Sequence, residues 1–143
     1  MSHDFLYSRI LVVDDEVEVC SALKEFLDEE QFTVEVANDG EVALSKMDEF
    51  KPHCILLDIR MPYLGGIDAL KMIKMRQPEV EVIMVTAITN IKTAEDFMRS
   101  GAFGYITKPV DLSYLLKEVL NSLQHRKDAL EKQKPTKKEL DHL

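Results

Sequence analysis

Long apolar runs are missing from this sequence. Nothing in it approaches the roughly 18 consecutive apolar residues that a membrane-spanning helix needs, so no span is expected. The first ten residues, MSHDFLYSRI, lack a basic region followed by an apolar stretch, so no signal peptide is expected. Cysteine is scarce. Cys20 and Cys54 both fall in apolar-periodic segments; two buried, reduced thiols fit better than a disulfide, which favours the cytoplasm. Four histidines, His3, His53, His125 and His142, are scattered without metal-ligand spacing. The phosphate-cradling pattern GxxxxGK[ST] is absent, which excludes P-loop chemistry. Positive charge is also short. Residues 125–143 carry six Lys/Arg against four Asp/Glu, a surplus of two; the whole chain is −8, which leaves −10 for residues 1–124. So acidic a region has no electrostatic footprint for nucleic acid.

What is present is an alternation. A length of 143 residues with 45% apolar content suits one globular domain plus a short appendage. Five short apolar runs stand out: Ile10–Asp14, Thr33–Ala37, Cys54–Asp58, Val82–Thr86 and Phe103–Thr107. They are rich in Val, Ile and Leu and mostly lack period-2 alternation, as strands buried on both faces of a parallel sheet do. Helical stripes lie between and after them, over Glu16–Glu30, Glu41–Phe50, Gly66–Arg76, Ile91–Ser100 and Asp111–Leu123. Asp111 is the expected N-cap of the last, and Gly101 the stop of the fourth. Met72, Met75, Met84 and Met98 sit at core spacing and are expected to pack inside. Five strand–helix alternations imply a doubly wound α/β fold, in which ligands bind beyond the carboxyl ends of the strands.

Four of the five strand ends carry polar groups: Asp14-Asp15-Glu16, Asp58, Thr86, and Thr107-Lys108-Pro109. The fifth, Ala37-Asn38, is chemically bland. If the first and third strands are neighbours, Asp14, Asp15 and Asp58 converge. Two bare carboxylates about 4 Å apart repel by roughly 4 kcal/mol at an effective dielectric near 20. A bound cation is the simplest relief, and oxygen-only ligands suit Mg²⁺. Lys108 would add a fixed positive charge. A metal with an open side, an ammonium and a hydroxyl form a receptor for a phosphoryl group, and Asp58 could carry that group covalently. The residues alone leave open which Asp is the nucleophile. Pro109 holds Lys108 extended, and the Lys108–Pro109 bond is expected to be cis.

The stretches ILVVDDE, CILLDIRMP followed by Gly65-Gly66, VIMVTA and GAFGYITKPVD together resemble the receiver domain of bacterial two-component response regulators, over residues 9–123 in order and spacing. The resemblance implies a flavodoxin-like (βα)5 fold with a five-stranded parallel sheet of order 2-1-3-4-5. It implies a phosphorylation-activated signalling switch rather than a turnover enzyme. Asp58 matches the residue phosphorylated by a sensor histidine kinase or phosphotransfer protein. Asp14 and Asp15 match the acidic pair that holds Mg²⁺, with Asp58 and the Arg60 backbone carbonyl as further ligands. Thr86 matches the hydroxyl that takes a phosphoryl oxygen, Lys108 the lysine that pairs with it, and Tyr105 the aromatic that turns inward when Thr86 moves. The changed face is helix four, strand five and helix five. Gly65 and His53 depart from common family choices, and Ile88 and Arg60 occupy positions that tune hydrolysis; a bulky Ile88 is expected to lengthen the phosphoryl lifetime.

Two rival readings use the same carboxylates. A Mg²⁺-dependent phosphohydrolase of haloacid-dehalogenase type needs Asp-x-Asp, and Asp58-Ile59-Arg60 lacks the second acid. Phosphorylation-independent interaction modules that keep the fold usually lose an acid, the acceptor or the lysine, and all are retained here. The expected division is a receiver domain over residues 1–124 and a charged helical extension or linker over 125–143. Leu116, Leu123 and Leu130 keep a seven-residue spacing, so the last helix is expected to reach about residue 133, before Pro135. The partners this implies are a kinase, a downstream output domain or protein, and a second copy, forming a homodimer through helix four, strand five and helix five or through the C-terminal helix. No direct nucleic-acid or membrane contact is expected.

Overall fold

The computed structural model describes residues 3–58, 66–87, 91–135 and 137–142. After a short 3₁₀ turn at His3–Phe5, strand and helix alternate: β1 Arg9–Val13, α1 Val17–Glu29, β2 Thr33–Ala37, α2 Gly40–Phe50, β3 Cys54–Leu57, α3 Gly66–Arg76, β4 Glu81–Thr86, α4 Ile91–Arg99, β5 Gly104–Thr107 and α5 Leu112–Lys132, with a last turn α6 at Lys137–Leu140. The sheet is parallel throughout in the order β2-β1-β3-β4-β5, as the family resemblance implies. Continuous apolar runs become fully buried strands because helices cover both faces: every residue of β3 and β4 is buried. The core therefore has two halves. One gathers Leu11, Ile55, Leu57, Met84 and Phe97 with α2, α3 and α4. The other gathers Ile10, Val12, Leu56, Ile83, Leu115 and Val119 with α1 and α5.

Local signals act where they were expected. The Asp111 carboxylate accepts from the Tyr114 N–H (3.2 Å) and starts α5. Gly101, at φ 104°, ends the turn after α4, in backbone space that L side chains rarely adopt. Asp39 caps α2 in the same way as Asp111 caps α5, accepting from the Val42 N–H (2.8 Å). Both cysteines are buried and free, and burial raises their thiols to about 11 (Cys20) and about 12 (Cys54). Among the described residues no helix is long and apolar enough to cross a membrane.

The methionine expectation fails for three of four. Met84 is in the core, but Met72, Met75 and Met98 are exposed. On α3 the buried stripe is Gly66, Ala69, Leu70 and Ile73; Met72 and Met75 lie off it. Met98 follows the buried Phe97 and is turned by one residue, about 100°, toward solvent. α5 runs without a break to Lys132, close to the expected end, and most of the residues after Leu123 are exposed. Of the three leucines at seven-residue spacing, Leu123 lies in the core and Leu116 and Leu130 are half-buried.

Candidate functional site

β1 and β3 are neighbours, and Val13 pairs with Leu57. The next residue on each is therefore an acid at the same edge of the sheet. The backbone ladder continues through them: the Asp14 N–H donates to Ala37 (3.1 Å) and the Asp58 N–H to Val13 (3.0 Å). Both side chains are buried, Asp14 at 2% and Asp58 at 4% exposure. The Glu16 N–H donates to Asp14 Oδ1 (2.9 Å), which folds the chain from β1 into α1 and leaves Asp15 and Glu16 facing outward. Carboxylate oxygens of Asp14, Asp15, Glu16 and Asp58 all lie within 4.8 Å of one another.

Lys108 enters from the loop after β5. Its N–H donates to the Thr86 carbonyl (2.8 Å), which anchors its backbone to the end of β4, and its bond to Pro109 is cis. The ammonium donates to Asp14 Oδ2 (2.8 Å), Glu16 Oε1 (3.2 Å) and Asp58 Oδ2 (3.3 Å). Thr86, the last residue of β4, is fully buried beside it. A cavity of about 260 Å³ is lined by Asp15, Glu16, Asp58, Ala87 and Lys108.

Electrostatics follow from the count: four carboxylates face one ammonium. Burial holds the Asp14 carboxyl above its ordinary range against the hydrogen bond from Lys108, and the Asp58 charge adds to the rise. Burial works against the Lys108 charge, yet the Asp14 hydrogen bond and the pull of Asp58 outweigh it and hold the ammonium above its usual range. The corner carries an excess of negative charge that one lysine does not balance. Hard oxygen donors and a net deficit of positive charge fit a divalent cation of the Mg²⁺ kind.

Two supports of this corner lie outside the sequence reasoning. The Asn38 side chain donates to the Asp14 carbonyl (3.1 Å), and the Cys20 thiol donates to the same oxygen (3.3 Å). The end of β2 was read as bland; its signal was an amide-bearing residue at the end of an adjacent strand. Tyr105 stacks on Phe97 (ring centroids 5.7 Å, 23°), and its hydroxyl is buried with no hydrogen-bond partner among the described residues. Burial raises its phenol above the ordinary value. Arg60, Gly65 and Ile88 lie outside the described residues.

A parallel sheet of this order, with an acidic cluster and a lysine beyond its carboxyl edge, is the arrangement the family resemblance implies. The chain belongs to the response regulator receiver domain family, whose model matches residues 10–120. It is 39% identical over 136 residues to the regulatory protein AtoC of Escherichia coli K12, covering 95% of this chain and 28% of that protein. It is 38% identical over 116 residues to the transcriptional regulatory protein ZraR of Klebsiella oxytoca, covering 81% of this chain and 26% of that one. Among solved structures, the CheY-like response regulator receiver domain protein of Methanospirillum hungatei JF-1 superimposes with a TM-score of 0.82 at 29% identity, covering 85% of this chain and 98% of that one. The chain thus spans little more than a quarter of the curated relatives it matches. Receiver domains of response regulators are phosphorylation-activated signalling switches of two-component systems, and this is the class of function the family assigns.

Proposed function

We propose that Asp58 is the phosphoacceptor of this receiver, with a sensor histidine kinase or phosphotransfer protein as donor. The observation that carries the reading is the Lys108 ammonium, held between Asp14 and Asp58 at 2.8 and 3.3 Å in a corner with two further carboxylates. Asp14 and Asp15, with Asp58, would hold Mg²⁺; the Arg60 carbonyl is the fourth ligand the family pattern offers. When bound, the ion supplies positive charge against the phosphoryl oxygens.

The chain's own residues supply the rest. A carboxylate oxygen of Asp58 forms the bond to phosphorus as the P–N bond of the donor phosphohistidine breaks, and the electron pair leaves with the imidazole. Lys108 is already ordered at the site and neutralises charge as the group arrives. The phosphoryl group adds about −1.5 to −2 charge and three acceptor oxygens, which draws the Thr86 hydroxyl. Movement of Thr86 at the end of β4 frees space for Tyr105, two strand positions from Thr107, its register partner. The face to be changed already bears apolar side chains in solvent: Ile91 is 77% exposed and Met98 is 48% exposed, and a shallow hollow between them reaches Tyr105. A partner that binds one state of this face reads the switch. In the same reading residues 1–124 are the switch and 125–143 lead to an output domain or protein.

The test is intact mass after incubation with phosphoramidate and Mg²⁺. A gain of one phosphoryl group is expected, lost in Asp58→Asn and in EDTA. An unchanged gain in Asp58→Asn overturns the assignment, and many turnovers of donor per chain would favour a phosphohydrolase.

A further inference from the structure

The amino ends of the strands hold a second cavity, of about 730 Å³. Its floor is Arg9, which opens β1, and His53, which precedes β3. One wall comes from the segment around Tyr7. The other is α5, which overshoots the sheet and brings Arg126 and Lys127 over the floor. Lys134 joins them, so among the described residues four cationic side chains line the cavity against two acids, Asp4, which pairs with Lys127 at 4.0 Å, and Glu131, in a chain of net charge −8.

Four observations describe this cavity. Arg126 Nε is buried there and has no hydrogen-bond partner among the described residues, so the protein itself leaves part of this guanidinium's donor capacity unused. The Arg9 guanidinium is fixed across the floor by Nε donating to the Lys51 carbonyl (2.8 Å), so it is ordered before any ligand arrives. His53 Nδ1 accepts the Arg9 backbone N–H (2.9 Å), and burial, then the charges of Arg9 and Arg126, hold its imidazole down at about 4. At the rim Tyr7 is 64% exposed, and its left-handed backbone (φ 61°) is held by its N–H donating to Gln31 (2.9 Å). The ring thus stands in solvent beside the cavity on a backbone that is itself held.

We propose that this cavity binds a diphosphate-bearing small molecule, with Arg9 and Arg126 taking the phosphate oxygens. An acidic polypeptide would run along the exposed Lys127 and Lys134; a compact anion fits within the cavity, against the guanidiniums of Arg9 and Arg126 that line it. The diphosphate can come as inorganic pyrophosphate or on a nucleoside, whose base would lie on Tyr7.

Both sources are tested on the full chain in EDTA, which keeps divalent ions off the acidic corner. Pyrophosphate is titrated in one arm and adenosine diphosphate in the other, with amide and imidazole resonances followed by NMR. Saturable shifts are expected at Arg9, His53 and Arg126, together with a rise of the His53 pKa as the anion offsets the guanidiniums. Arg126→Gln should weaken binding about tenfold or more, with Lys127→Gln as a second, exposed variant that weakens it less. Asp58→Asn should bind like the parent, so this result stands apart from the phosphoacceptor assignment. Tighter binding of the nucleotide, lost in Tyr7→Ala, assigns the nucleoside source; equal affinity assigns the inorganic one. No saturable shift at these residues at millimolar ligand, or binding unchanged in Arg126→Gln, overturns the proposal.

Discussion

At the carboxyl ends of β1 and β3, four acidic side chains cluster, and three of them contact one ammonium. At the amino ends of the same two strands, two guanidiniums flank one neutral imidazole. Both places bury a titratable group at the cost of its ionised form: Asp14 is pushed up by burial against the hydrogen bond from Lys108, with Asp58 adding to the rise, and His53 is pushed down by burial and by Arg9 and Arg126. They differ in how they are assembled. The acidic corner is made by residues one step beyond neighbouring strands, so two adjacent β-strands suffice to build it. The basic end needs α5 to run past the sheet and lay residue 126 near residue 9. A short-range construction leaves a sequence signature; a construction that depends on how far a helix overshoots does not.

The comparison can be broken first at Lys108. Lys108→Ala leaves Asp14 and Asp58 buried without their cation, and loss of one partner of a buried pair should cost about 3 kcal/mol in urea unfolding without Mg²⁺. Adding Asp14→Asn in that background should recover part of the loss. A cost near zero for the single variant would mean that the lysine does not hold the corner together.

At the other end the lever is pH. The unfolded chain protonates His53 near 6.5, whereas the folded chain refuses the proton until about 4. Between those values the unfolded state binds the extra proton, so stability falls as pH drops from about 6.5 toward 4 and is whole above it. Protonation at Nδ1 would also end the hydrogen bond from the Arg9 N–H. His53→Gln should unfold with a shallower dependence over that window, measured by denaturant midpoints at a series of pH values. Equal slopes in the two proteins would remove His53 from the account.

Smaller effects sharpen the picture. Asn38→Ala removes one of the two side-chain donors on the Asp14 carbonyl and should cost about 1 kcal/mol. Tyr105→Phe removes a buried hydroxyl with no partner among the described residues, so thermal unfolding should show no loss and a gain of up to about 1 kcal/mol.

Much of this was legible in the sequence for identifiable reasons. Runs such as VIMVT at Val82–Thr86 read as strands because both faces are covered, leaving no polar alternation to confuse the period. Asp14, Asp15, Asp58 and Lys108 stood at strand ends, where a doubly wound fold puts its ligands, and the structure brings all four together. The errors came where residue type replaced position: Met72, Met75 and Met98 are apolar but lie off the buried stripes. Asn38 and Cys20 were missed because what they hold is a backbone carbonyl, which no residue pattern displays. The 3₁₀ turn at His3–Phe5 and the short α6 carry too few residues for a periodic signal.

The central claim concerns one side chain, and a chemical trap reads it directly. An aspartyl phosphate is an acyl phosphate that borohydride reduces to homoserine, so the chain phosphorylated with phosphoramidate and Mg²⁺ can be reduced, digested and mapped by tandem mass spectrometry. Homoserine at position 58, with Asp14 and Asp15 intact, is the predicted result. Homoserine at 14 or 15, or a phosphorylated chain whose residue 58 is still aspartate after reduction, would contradict it.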